Sequence, residues 1–312
     1  MEPKPPDSSN TQYVSPDASV SAKQDSCGCD KCTGRASYTQ QFAYVVGRLD
    51  VRFPSLGIER EYQQRERALP DLQSQPRSAR MRAVLERNPH LALRVGWILQ
   101  IQSSPAYALL PSTGALKNDF FEALVTSQAT DSLCVAIGRV GPVTSPSLAG
   151  GLLLPTLLVD QLYSFSIKDW AQGLHSAAAP VLTARKIDAD HFQSVAQNVF
   201  REIVFMPENL GVTDGHRALN YLLVQHPGVF LAAAERRGHK LDRIETRITQ
   251  AMGTRRHVAV ILTFLDLATG VPERLYCSVD VTEEWPFMAG AEGGIAPLGM
   301  APYIETAVSG SF

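Results

Sequence analysis

Three thiols stand within six residues at Cys27-Gly-Cys29-Asp-Lys-Cys32, a C-x-C step followed by a C-x-x-C step. A C-x-x-C turn reverses the chain over about one metal–ligand spacing, so it can place two thiolates on one tetrahedral Zn²⁺. Three thiolates leave one position open. Cys277 is the ligand we assign to it, with Cys134, a histidine or a second chain as alternatives. Lys31 beside the cluster favours the thiolate form electrostatically. Two other readings stand beside zinc: incidental or redox-active thiols on a mobile tail, and a catalytic thiol. The total of five cysteines is odd, and no secretory signal precedes them, which argues against a disulfide framework.

A second grouping is Asp214-Gly-His216-Arg217, where His216 could serve as a base held by Asp214. The plainer reading makes Asp214 a helix N-cap and Arg217 an exposed helical charge. Asp188, Asp190 and His191 suggest a metal, yet Asp190 also suits the first turn of the helix that follows. His226, His239 and His257 are isolated. Trp97, Trp170 and Trp285 read as core filling before peptide-binding platform, with Trp285-Pro286-Phe287 the better candidate for an exposed aromatic contact. Nucleophile-elbow, H-E-x-x-H, P-loop and dinucleotide-binding patterns are absent from the sequence. Hydrolase, metalloprotease, NTPase and dinucleotide readings are weakened accordingly.

The elements that must position these groups follow from periodicity. Residues 1–26 are rich in Ser, Pro, Asp, Gln and Lys and poor in large apolar groups, which predicts a disordered tail. Gln41 to Phe53 reads as a strand, and Ile58 to Leu69 and Ser78 to Arg87 as helices. Leu93–Gln102, Ala106–Leu110, Leu133–Val140 and Leu152–Phe165 are short apolar runs broken by Pro and Gly, hence strands. Phe192, Val195, Val199 and Ile203 form one face of a helix over Asp188–Val204. Thr213 or Asp214 can cap a second helix, and Val229–Arg237 makes a third. Arg243–Gln250, His257–Asp266 and Arg274–Val281 predict a three-stranded antiparallel meander joined by turns. The class is therefore α+β: antiparallel sheets, a central helical section and a C-terminal meander, forming one domain over 27–290 with a Gly/Ala/Pro-rich extension at 291–312.

Composition bounds the partners. Lys plus Arg number 29 and Asp plus Glu 31, giving a formal charge of −2, which disfavours nucleic-acid binding. The richest apolar stretch, Leu148–Tyr163, is interrupted by Pro155, Asp160 and Gln161, so no membrane span is expected and the default compartment is the cytoplasm. The surplus of apolar strands makes a homodimer plausible.

The segment QFAYVVGRLDVRFPSLGIEREY, Gln41 to Tyr62, resembles the opening of the domain of unknown function at the C-termini of the cyanobactin maturation proteins PatG and PatA. Tyr44, Gly47, Arg48 and Leu49, with Arg52-Phe53-Pro54-Ser55-Leu56, carry this likeness, supported by the cysteine-rich stretch before it. Arg217-Ala218-Leu219-Asn220-Tyr221 and Tyr276-Cys277-Ser278-Val279-Asp280-Val281-Thr282 extend it to about Pro286. The resemblance implies a role in maturing ribosomally synthesised, post-translationally modified peptides. In that family the domain trails a subtilisin-like protease or macrocyclase; a separate protease domain would need some 250 to 300 further residues, so that activity is not implied here. The expectation is a non-catalytic accessory protein that binds precursor peptide or scaffolds modifying enzymes. The alternative is a zinc- or thiolate-dependent peptide-modifying enzyme.

Overall fold

A computed structural model describes residues 41–127, 129–204, 206, 208–249, 255–289 and 300–303. The cysteine cluster and the predicted tail lie outside these residues. In chain order the elements of the first half are β1 (Phe42–Arg52), α1 (Leu56–Arg67), α2 (Arg77–Arg87), α3 (Pro89–Ala92), β2 (Gly96–Ile101), β3 (Ser104–Pro111), α4 (Lys117–Thr126), β4 (Ser132–Val143) and β5 (Pro155–Ser166). The second half contains α5 (Ile167–Ala184), α6 (Ala189–Val204), α7 (Asp214–Gln225), α8 (Gly228–Glu235), β6 (His239–Thr249), β7 (His257–Asp266), β8 (Pro272–Asp280), β9 (Phe287–Met288) and β10 (Ala301–Pro302). The mixed α+β class expected from the sequence is the one observed.

Five strands close a barrel in the order β1-β2-β3-β5-β4, with β4 returning to β1. Every neighbouring pair is antiparallel except β3–β5, which is parallel. Parallel pairing needs a long crossover. The chain supplies one through α4 and β4. The β2–β3 hairpin turns on Gln102 and Ser103, both at positive φ (51° and 67°), the backbone twist that tight two-residue hairpins favour. The second sheet runs β10-β8-β7-β6, with β9 also pairing with β8. The predicted meander is its centre. The β7–β8 turn is stabilised where Asp266 Oδ1 accepts the Ala268 and Thr269 N–H groups at 2.7 and 3.2 Å, ahead of Gly270 at φ +70°.

Alternation along β1 and β4 divides the protein into two cores. Ala43, Val45, Cys134 and Ala136 point to one side, joining Leu99, Tyr107, Leu157 and side chains from α1, α2 and α4. Tyr44, Val46, Val135 and Ile137 point to the other, where α5 to α8 and the second sheet pack. Successive strand side chains face opposite ways, so one wall serves both cores. Each fully buried large side chain contributes roughly 1.5–3 kcal/mol. On the second side, Phe200 lies 4.3 Å from the Trp170 ring centroid, with Phe230 edge-on to Trp170 at 5.1 Å. Strand faces that looked surplus in the sequence are thus consumed inside one chain.

Helix starts follow local capping. Ser55 Oγ accepts the Ile58 N–H, Ser166 Oγ the Asp169 N–H and Thr213 Oγ1 the His216 N–H, each satisfying a donor the helix leaves free. Three helices went unread in the sequence, the four-residue α3 among them. Helix α5 carries Gly173 and an internal Pro180, both poor helix formers. Helix α4 has no side-chain cap. The extension at 291–312 contributes the short strand β10 where it is described.

Candidate functional site

The outward face of β1, β4 and β5 meets α7 and the segment that follows β8, and a chain of polar groups is built into this seam. Its anchor is Arg217, on the first turn of α7 and 1% exposed. The guanidinium donates to the carbonyls of Val281 at 2.8 Å and Glu284 at 3.1 Å, and also to that of Glu283. Asp214 lies 3.5 Å away on the same helix and the Phe42 ring 5.5 Å away. Burial pushes the guanidinium down to about 10, with Asp214 opposing the fall, so it stays cationic at neutral pH. The sequence reading of Arg217 as an exposed helical charge is therefore corrected: α7 turns it inward to tie down three carbonyls.

Asp214 occupies the first helical position, and Thr213 is the N-cap. Its carboxylate accepts from Arg256 at 3.0 and 3.1 Å. Both oxygens are engaged by guanidinium groups, and none of the described hydrogen bonds joins Asp214 to His216. Burial lowers the His216 pKa, with the Glu208 charge opposing, and its Nδ1 is buried without a partner. The acid–base pairing expected of Asp214 and His216 is not assembled. Asp188 Oδ2 accepts the His191 N–H at 3.0 Å and so starts α6, while His191 Nε2 meets the Ala234 carbonyl at 3.2 Å. That trio does not converge on a common point.

Next to Arg217 lies a phenol cluster. The hydroxyls of Tyr44 and Tyr163 are 2.9 Å apart, and Gln225 Nε2 donates to Tyr163 at 2.9 Å. Burial raises both phenols well above the usual range; for Tyr163 the hydrogen bonds from Tyr44 and Gln225 oppose the rise. These hydroxyls keep their protons at neutral pH and supply no nucleophile. Trp285 and Tyr221 each pack edge-on against Tyr44, with ring centroids 6.0 and 6.5 Å from its own. Trp285 and Pro286 are thus packed against the fold, and only Phe287 of that trio is exposed, beneath the Arg255 guanidinium at 5.2 Å.

At the far end of the seam sits Asp160. The β4–β5 register steps from Ile137↔Gln161 to Gly138↔Val159, so Asp160 has no partner and occupies a β-bulge. Bulges re-aim side chains. Arg139 grips its two oxygens at 3.1 and 3.2 Å. Burial works against ionisation of Asp160, but Ser112 and Arg139 outweigh it and hold the carboxyl below its usual value. Burial raises the pKa of Glu284, and the charge of Asp160 adds to the rise. None of Arg139, Asp160 or Glu284 was singled out as a site residue from sequence. A lone carboxylate inside the apolar run Leu152–Phe165 was the available signal.

The described cysteines are Cys134 and Cys277, both free and buried. Cys277 points into the helix-covered core and Cys134 into the barrel core. Burial pushes both thiols up to about 12. Cys27, Cys29 and Cys32 fall outside the described residues, among which no three His, Cys, Asp or Glu side chains gather into a metal-binding group. None of the described helices is long and apolar enough to cross a membrane.

A small barrel sharing a wall with a helix-covered antiparallel sheet, with phenol and guanidinium hydrogen bonds along the seam and no assembled nucleophile–base pair among the described residues, defines the class. Residues 186–292 match the family model described as PatG C-terminal, so this span is similar to that region. It contains α6 to α8, the meander and the Glu284 segment. A solved structure titled "PatG Domain of Unknown Function" has the same fold, with a TM-score of 0.57 and 19% identity over 80% of this chain and 97% of that one. No match was found among curated proteins.

Proposed function

We propose that this protein is a non-catalytic accessory factor in the maturation of cyanobactin-like peptides, which are ribosomally synthesised and then modified. It binds the precursor peptide or holds modifying enzymes together. The observation that carries this reading is the PatG C-terminal match over 186–292, the part of the chain that supplies one side of the seam. The chemistry of the seam agrees with it. Protonated phenols, a carbonyl-bound guanidinium and paired carboxyl groups recognise and hold; they do not attack. A zinc site at Cys27, Cys29 and Cys32 belongs to the same reading as an N-terminal staple.

The test is capture of purified components. The full chain is immobilised and offered the precursor peptide and each modifying enzyme of the producing organism in turn. Retention of at least one, with the precursor mass unchanged, is expected. Failure to retain any of them overturns the proposal, and a precursor mass change made by the pure protein replaces it with an enzymatic role.

A further inference from the structure

A cavity of about 260 Å³ lies on the barrel side of the protein, between α3, the end of β3 and the start of α4. Its wall is almost wholly apolar: buried Trp97, Phe120 and Phe121 line it together with exposed Pro89 and Pro111. The wall is held in place without a ligand. Trp97 Nε1 donates to the Ala92 carbonyl at 3.3 Å, and the Phe120 and Phe121 ring centroids lie 5.2 and 6.0 Å from that of Trp97. Both prolines fix their own backbone. An occupant therefore enters a site that has little left to order, which favours binding.

Size and charge narrow the occupant. An apolar cavity of about 150 Å³ takes a benzene ring, whereas pockets for drug-sized ligands begin at about 300 Å³. The space here fits one large apolar side chain. Leu93 also lines it and is 84% exposed, the most of any described large apolar side chain, so it marks the mouth. Lys117 is the one charged residue among the described lining. Its Nζ stands 5.5 Å from the Phe121 ring centroid, and among the described residues no carboxylate pairs with it. Asp119 and Glu122, on the same helix, do not line the cavity. Arg87, two residues before Pro89 at the end of α2, is exposed and likewise has no acid partner among the described residues. A ring-lined interior with a cationic mouth is complementary to an apolar group that has a carboxylate beside it.

We propose that this cavity docks a partner peptide, which inserts one aromatic or long aliphatic side chain past Leu93 and sets a neighbouring carboxylate on Lys117. The inference rests on the accessory reading above and locates its recognition at the α3–α4 cavity. The barrel is closed and offers no strand edge to pair with, so recognition at this place runs through side chains. Burial of the anchor supplies the affinity, and its removal weakens binding by more than about tenfold. The exposed ion pair orients the peptide and is worth at most about fivefold, less as salt rises.

The test is a nitrogen-15 NMR titration of the full chain with acetyl-Gly-Phe-Asp-Gly-amide, and with the same peptide carrying Ala for Phe or Asn for Asp. Saturable shifts of the Trp97 indole N–H and the Gly114 amide are expected from the first peptide. The Ala form should bind at least about tenfold more weakly, and the Asn form up to about fivefold more weakly at low salt. Leu93→Asp and Lys117→Glu change exposed side chains, so each should keep the melting temperature within about 2 °C. Each should also weaken the Phe-Asp peptide about threefold or more. Equal binding of the Phe and Ala forms, no shift at Trp97, or full binding by both variants overturns the proposal. So does phenylacetate binding as tightly as the peptide, which assigns the cavity to a small apolar acid, or a dimer of the chain that Leu93→Asp disperses, which assigns it to a second copy. Capture of a pathway component that survives both variants overturns the cavity and leaves the accessory reading; peptide binding at Trp97 with no component captured does the reverse.

Discussion

Replacing Arg217 by Ala removes the guanidinium on which the seam depends, and its cost can be worked from the contacts. Three carbonyls, of Val281, Glu283 and Glu284, lose a charged donor, and Asp214 loses one of its two guanidinium partners. Hydrogen bonds to charged groups contribute about 1.5–3 kcal/mol each, and the Val281 bond is the fully buried one. Water can recover part of the two outer carbonyls, and Asp214 retains Arg256 at 3.0 Å. The net is about 3–5 kcal/mol, the range expected when one side of a buried polar anchor is deleted. For a chain of this size that lowers the melting temperature by roughly 6–20 °C. Circular dichroism melts of the unmodified chain, Arg217→Ala, Arg217→Lys and Arg201→Ala provide the assay. Arg217→Lys keeps one bond at a time and falls between the first two. Arg201 pairs with Asp131 at 3.2 Å on the surface, so its loss costs under about 1 kcal/mol. The reasoning is refuted if Arg217→Ala melts within about 2 °C of the unmodified chain or no lower than Arg201→Ala.

Gly211 sits at φ +74°, and a Cβ there would lie 2.5 Å from the Tyr44 carbonyl oxygen. Gly211→Ala should therefore destabilise by at least about 2 kcal/mol in urea unfolding; a change under 0.5 kcal/mol would contradict the packing of this loop on β1. Cys134 and Cys277 should react with a thiol reagent only after unfolding, and Cys277→Ser should leave any bound zinc unchanged by metal analysis. Loss of metal in that variant would restore Cys277 as a ligand. Burial lowers the folded pKa of His216, so the unfolded chain holds more protons between the folded value and about 6.5. Stability contributed by neutral His216 is present above that window and lost as pH falls through it. His216→Gln should show a smaller drop in urea midpoint between pH 7.5 and 5 than the unmodified chain, and equal drops would exclude the effect.

Local rules recovered much of the fold. The strand at β1, the meander and the helix that Thr213 caps were legible because each is fixed by alternation, turn residues or a cap within a few positions. Barrel closure was not, because the parallel β3–β5 pairing joins segments separated by α4 and β4 and leaves no mark in either strand. Helix α5 was hidden by Gly173 and Pro180, which tertiary packing of Trp170, Leu174 and Leu182 overrides. The seam shows the same limit more sharply. Arg139, Asp160, Arg217 and Glu284 are drawn from four distant segments, and nothing near Arg217 in sequence says that it faces inward. Asp214 and His216 failed as a pair for the converse reason. They stand two apart on one helix, where side chains do not face each other, and Arg256 arrives from far along the chain and takes the carboxylate.

The central claim is that the chain recognises a peptide or protein of the maturation pathway and leaves it chemically unchanged. Calorimetric titration of the full chain with the precursor peptide, and then with each modifying enzyme, tests it most directly. The account predicts a saturable heat with at least one of them and an unaltered precursor mass in the recovered sample. Absence of heat with all of them, or an altered precursor mass, would contradict it.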